Sequence, residues 1–281
     1  MNKDKLNILV TNDDGYTAKG IKVLAKMLLP YGNVTVVAPK YHQSGMAMAV
    51  TIGIKRLAYK DLGIIDGAHW AYLDSTPASC AKYGINFMDP KPDVIISGIN
   101  HGSNASAAAC YSGTLGAAME GALNGIPAIG VSLDNLNPEA DFSQVQKYFP
   151  AIFEHLMERY KTARYGVYYN VNFPASDIKG IRTGHMGRGK WVKEFTDWNP
   201  ELYRKRGYTA EMFGISLPQK EEGEKYYMMI GTYVDDEANL PGADHRLVKD
   251  GYISITAHNI ITTDPVETPS LAKDPLLNKD F

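Results

Sequence analysis

A chain of 281 residues, 44 % apolar and 21 % charged, has the composition of an ordinary soluble globular protein, with length for one large domain or two small ones. Its formal net charge of −2 supplies no general basic field, which argues against a nucleic-acid partner or an anionic membrane and leaves any anion to a local site. Two cysteines, Cys80 and Cys110, can form neither a disulfide framework nor a zinc site at this spacing; both are expected to be reduced and mostly buried.

The first residues, MNKDKLNILVTN, lack the long apolar stretch of a secretion signal, and no apolar run reaches membrane-spanning length, so the expected location is the cytoplasm. LNILVT reads as a buried strand and AKGIKVLAKMLLPYG as a helix closed by Pro30 and Gly32. NVTVVAP is a second strand, stopped by Pro39. STPASCAKYGINFM predicts a helix with Ser75 as N-cap and Pro77 in its first turn. PDVIISGIN is a further strand, YSGTLGAAMEGALNGI a helix opened by Ser and Thr, and PAIGVSL another strand. This strand–helix alternation, with uniformly apolar strands, predicts a three-layer, doubly wound α/β fold with a mostly parallel sheet.

FSQVQKYFPAIFEHLMERYK continues as an amphipathic helix, and YGVYYNVNFP as a strand ended by Pro174. The expected organisation is a single α/β domain over 1–281, with its core at 1–183. An irregular arm rich in Trp, Tyr and Gly spans 184–236, and a late strand region (GYISITAHN) spans 237–262. The tail at 263–281, with Pro265, Pro269 and Pro275, reads as extended.

In an open parallel sheet, ligands bind beyond the carboxyl ends of the strands, near the point where strand order reverses. The unusual clusters fall there: Asp13-Asp14-Gly15 after the first strand, PKYHQSG after the second, and SGINHGSN after the strand at 93–96. Asn-Asp-Asp-Gly is also ordinary turn chemistry. Two adjacent carboxylates held near a core, however, repel each other unless a cation or proton intervenes. A hard divalent cation such as Mg²⁺ or Mn²⁺ would compensate them, with neutral oxygens from Ser44 and Asn100 as further ligands.

Gly98, Gly102 and Gly113 would let the backbone approach a ligand, and Ser112, Gly113 and Thr114 open a helix whose free N–H groups favour a phosphate. Neither a P-loop nor a G-x-G-x-x-G follows the first strand, and no G-x-S-x-G elbow marks a serine hydrolase. Among the histidines, His42, His101, His185, His245 and His258, His101 is the one placed inside the glycine-rich stretch. Some of the 18 tyrosines could stack on a nucleoside ring.

The ordered set ILVTNDDG, AP….QSG, SGIN.G.N, YSGT.GAA.EG and the later NVNFP and D……GYISIT resembles the SurE family of survival proteins, 5′/3′-nucleotidases, from about Leu6 to Thr256. The resemblance implies a Rossmann-like phosphatase, a homodimer or homotetramer, that needs one divalent cation per subunit and acts on nucleoside monophosphates, some members also cleaving short polyphosphate. It implies that Asp13, Asp14, Ser44 and Asn100 hold the metal, and that Asn12, Asn104, Ser112, Gly113 and Thr114 lie around the phosphate. The region after NVNFP would include a protruding hairpin used between subunits. One stretch departs from the family pattern: residues 105–110 read ASAAAC, where many members carry a glycine, an acidic or amide residue and a β-branched residue.

The mechanism expected is metal-assisted phosphomonoester hydrolysis by an activated water. Asn104 and the Ser112–Thr114 helix start would stabilise charge on the phosphate oxygens. Attack by Asp13 or Asp14 is the covalent alternative. A nucleotide-dependent transferase and a non-catalytic nucleotide-binding regulator are the rival functions; the first would hydrolyse a simple monophosphate poorly, the second not at all.

Overall fold

The structure is a computed structural model that describes residues 5–53, 55–214 and 221–274. Its frame follows from the first strand, β1 (Leu6–Thr11), whose side chains alternate between two apolar clusters. Ile8 and Val10 pack with one face and Leu9 with the other. A strand covered on both sides can be apolar throughout, which is why LNILVT shows no polar alternation.

The chain continues through α1 (Lys19–Leu28), β2 (Gly32–Pro39), β3 (Tyr59–Ile65), β4 (Ala68–Leu73), α2 (Pro77–Phe87) and β5 (Val94–His101). A single turn α3 (Ala108–Tyr111) leads into α4 (Gly113–Leu123), β6 (Ala128–Leu133), α5 (Ser143–Tyr160), β7 (Val167–Phe173) and β8 (Gly180–Thr183). The arm holds β9 (Gly189–Val192), β10 (Phe195–Asp197), α6 (Glu201–Arg204), β11 (Tyr227–Met229) and β12 (Thr232–Asp235). Last come α7 (Asp244–Lys249), β13 (Tyr252–Asn259) and α8 (Glu267–Leu271).

Nine strands form one sheet in the order β3-β4-β2-β1-β5-β6-β7-β13-β8. The pairs from β4 to β7 are parallel, while β3–β4 and β7–β13 are antiparallel. Side chains of α1 and α5 join the cluster on one face, and those of α2 and α4 the cluster on the other. The doubly wound α/β fold is therefore present as expected. Strand order reverses between β1 and β5, so their carboxyl ends flank the crevice where such sheets bind ligands. In the arm, β9 pairs with β12 and β10 with β11, both antiparallel. Among the described residues no helix is long and apolar enough to cross a membrane.

Several local expectations need correction. The β3–β4 hairpin was not anticipated; its signal is Asp66-Gly67, both at positive φ (48° and 90°), the chemistry of a tight two-residue turn. The cap of α2 is Thr76, whose Oγ1 accepts from the Ser79 N–H (3.3 Å), because the expected cap Ser75 donates to Thr51 Oγ1 instead (2.8 Å). β5 runs one residue past the expected strand end at Asn100, so His101 closes the strand rather than sitting in a loop. Cys80 is buried but Cys110 is exposed, on a turn whose residues bury little. In the tail read as extended, Asp264 Oδ1 accepts from the Val266 and Glu267 N–H groups and starts the short α8; residues 275–281 lie outside the described residues.

Candidate functional site

The turn after β1 carries Asp13 and Asp14, and it is built from within. Asn12 Nδ2 donates to Gly15 O (3.0 Å), the Tyr16 N–H to Pro39 O (2.9 Å) and the Gln43 N–H to Asp13 O (2.6 Å), tying the β1 turn to the one after β2. The end of β5 meets this turn through a bulge at Gly98, where the register shifts between Ser97 and Asn100. Gly98 has φ 139° and an added Cβ would lie 2.3 Å from Val131 O, so only glycine allows this path. The bulge delivers Asn100 and His101 beside Asp14.

Asp13 and Asp14 are both buried, and their partners differ. Asp13 Oδ1 accepts from Thr114 Oγ1 (2.6 Å), a neutral donor. Burial first, and the charge of Asp14 second, push Asp13 up to about 6 against that hydrogen bond. Asp14 Oδ2 accepts from the His101 N–H (3.1 Å) and faces His101 Nδ1 (2.9 Å), while Oδ1 lies 3.3 Å from His42 Nδ1. Burial works to raise Asp14, but the hydrogen bonds from His101 and His42 outweigh it and hold the group well below the usual carboxylate range. His42 responds in kind: burial would lower it, and the Asp14 hydrogen bond and charge lift it instead. Both ring nitrogens of His101 face oxygens, since Nε2 lies 3.1 Å from Pro138 O.

One cavity of about 650 Å³ brings together Asp13, Asp14, Ser44, Asn100, Gly102, Asn104 and Ser112. Asn12, Gly113 and Thr114 stand behind its lining. Asn12 braces the turn, Thr114 holds Asp13, and Gly113 makes room for it, since an added Cβ would lie 2.9 Å from Asp13 Cβ. Ser112 caps α4 by accepting from the Leu115 N–H (3.0 Å), and the first N–H groups of that helix have no intrahelical acceptor. Asn100 Nδ2 donates one N–H to Gly102 O (2.8 Å), which fixes the orientation of the amide; its oxygen, Oδ1, is the atom that would ligate a cation. Two carboxylates with a hydroxyl and an amide oxygen form the sparse, all-oxygen donor set that suits a hard divalent cation with water in its other positions. Among the described residues no three His, Cys, Asp or Glu side chains gather as a metal cluster, so such an ion would rest on these oxygens.

Several lining residues gave no sequence signal. Asp134 faces the cavity, raised by burial. The arm supplies a wall of Trp191, Tyr203, Arg206, Tyr208, Phe213 and Tyr233, with Arg206 the one lysine or arginine among the lining residues. His42 joins the two halves: its N–H donates to Met212 O (2.8 Å), and its ring meets Phe213 edge-on with centroids 4.7 Å apart. Tyr208 donates to Leu136 O (3.0 Å); burial, then the charges of Asp14 and Asp13, push its hydroxyl up to about 12. The departing stretch 105–110 is anchored by Ser106, whose N–H donates to the fully buried Asp244 (2.9 Å) and whose Oγ donates to Gly187 O (2.9 Å).

Known proteins resemble this chain along most of its length. The model of the family described as "Survival protein SurE" matches residues 8–193. A protein of Christiangramia forsetii named 5′-nucleotidase SurE is 36 % identical over 275 residues, covering 93 % of this chain and 96 % of its own. A protein of the same name from Thermosipho africanus is 34 % identical over 92 % of this chain and 93 % of its own. The crystal structure of the SurE protein from Aquifex aeolicus superposes with a TM-score of 0.72 at 26 % identity, over 97 % of this chain and all of that one. With the family pattern running through the very turns that build the cavity, the chain belongs to the SurE family.

Proposed function

We propose that this chain hydrolyses nucleoside 5′-monophosphates, and 3′-monophosphates as well, to nucleoside and phosphate at the Asp13–Asp14 cavity, with one divalent cation per subunit. Its relatives' shared name, 5′-nucleotidase SurE, supports the reaction class. The observation that carries the site assignment is the state of Asp13: a buried carboxylate beside a second carboxylate, with a hydroxyl rather than a cation as its hydrogen-bond partner. Asp13, Asp14, Ser44 and Asn100 would hold Mg²⁺ or Mn²⁺, which when bound supplies charge neutralisation at phosphate and a water of lowered pKa.

The chain's own groups do the rest. His101 and His42 fix the orientation of Asp14. The Asn104 amide and the N–H groups opening α4 orient the phosphate and offset charge on its oxygens. The aromatic wall of the arm offers faces for the nucleoside ring and keeps water from that side of the cavity. The exposed side chains Phe195, Trp198, Tyr227 and Met229 support the arm as a contact between copies in a homodimer or homotetramer.

The test is phosphate release from AMP and GMP with Mg²⁺ or Mn²⁺, with EDTA, and with a folded Asp13→Asn variant. Release is expected to vanish on chelation and to fall at least about 100-fold in the variant. Release that survives both would overturn the assignment.

A further inference from the structure

Asn170 and Asn172 lie at positions i and i+2 of β7, on one face of a strand flanked by β6 and β13. Both are fully buried, and neither lines the cavity. Apolar side chains are the default for such a site, because a buried amide costs free energy unless all its polar atoms are engaged. Ser103 Oγ donates to Asn172 Oδ1 (3.3 Å) and His258 Nε2 lies 3.5 Å from Asn170 Nδ2, but the closer contacts run to the backbone of one cavity residue. The Asn104 N–H donates to Asn172 Oδ1 (2.7 Å), Asn172 Nδ2 donates to Asn170 Oδ1 (2.9 Å), and Asn170 Nδ2 donates to Asn104 O (2.9 Å).

The loop closes with only one sense. The Asn104 N–H can only donate, so Asn172 presents its oxygen to it; Asn172 then donates onward, and Asn170 must return a donor to the Asn104 carbonyl. Both backbone polar groups of residue 104 are thus engaged by two side chains of a rigid central strand. From the next strand, Ser132 Oγ accepts from Asn104 Nδ2 (2.8 Å), which leaves the second N–H of that amide for the cavity.

We propose that Asn170 and Asn172 are positioning residues for the phosphoryl reaction: through the backbone of residue 104 they set where the Asn104 amide meets phosphate. This rests on the reading above that Asn104 touches phosphate. A displacement of about 1 Å in such a group lowers turnover on the order of 100-fold without altering the donor itself. The circuit also explains how the departing stretch at 105–110 can sit beside an unchanged Asn104, since the hold on residue 104 comes from β7.

The test is a double-mutant cycle between Asn104→Ala and each of Asn172→Leu and Asn170→Asp, the latter keeping the acceptor and replacing the donor to Asn104 O by a carboxyl oxygen. For AMP with Mn²⁺, each strand variant is expected to lower kcat by about 10- to 100-fold with KM within about threefold. Each double variant should be no slower than Asn104→Ala alone. Inorganic phosphate binding in Mn²⁺, followed by calorimetry, should show the same lack of additivity.

Losses that multiply, kcat within twofold of wild type in a folded strand variant, or failure of both strand variants to fold would each overturn the positioning role. If the wild type binds phosphate with this coupling but releases none from AMP, the nucleotidase reading fails and the positioning role stands. No phosphate binding by the wild type overturns both.

Discussion

Asp13 and Asp14 are neighbours in sequence, yet Asp14 sits between two histidines and Asp13 receives a single hydroxyl. Without metal, the native Asp13 titrates near 6, above its ordinary value of 3.8. Between those values the native state binds more protons than the unfolded chain, so stability falls as pH rises through that window. Above that window the whole penalty is present. Metal-free Asp13→Asn should therefore melt several degrees above metal-free wild type at pH 8, and the gap should close by pH 4; a gap independent of pH would contradict the account. Mn²⁺ should raise the wild-type melting temperature most, since it relieves the same repulsion. The carboxylate pair could be read from the sequence because the two residues are adjacent. Their distinct environments could not, since His101 lies 87 positions from Asp14.

At the scale of elements, β1, β2, β5, β6 and β7 were legible as apolar runs because a strand covered on both faces has little polar content. The β3–β4 hairpin was hidden because β3 is an outer strand with mostly exposed side chains, and Lys60, Asp61 and Gly63 break its apolar residues into pieces too short to read as a run. The arm was legible only as an irregular insertion. Its strands have three or four residues each, too short for a period to emerge, and its return over the cavity depends on contacts such as His42 with Met212. Among the described residues, Arg206 is the arm's one lysine or arginine lining the cavity. Arg206→Ala is expected to raise KM for AMP by about 3- to 10-fold with kcat within about twofold, measured at low ionic strength; a fall in kcat alone would move the residue from binding to chemistry.

For the molecule as a whole, the arm faces two ways. Residues such as Tyr208 turn to the cavity, while Phe195 on β10 and Tyr227 on β11 remain exposed and line no part of it. Light scattering should find a mass that is a multiple of the single chain, moving toward one chain in Phe195→Ser/Tyr227→Ser. A wild type that is monomeric at all working concentrations would remove the arm from any subunit contact.

The cavity also draws on two stretches of chain, one inside and one beyond the part matched by the family model. The metal and phosphate groups proposed at Asp13, Asp14, Ser44, Asn100, Asn104 and Ser112 all fall within residues 8–193, the part matched by the family model. Of the facing wall, Tyr203, Arg206, Tyr208, Phe213 and Tyr233 lie beyond it. With the roles proposed above, reaction and recognition would be encoded apart. An exchange of the arm between relatives could redirect base preference while the hydrolytic machinery stays untouched, which makes this segment a natural unit for evolution, and for grafting.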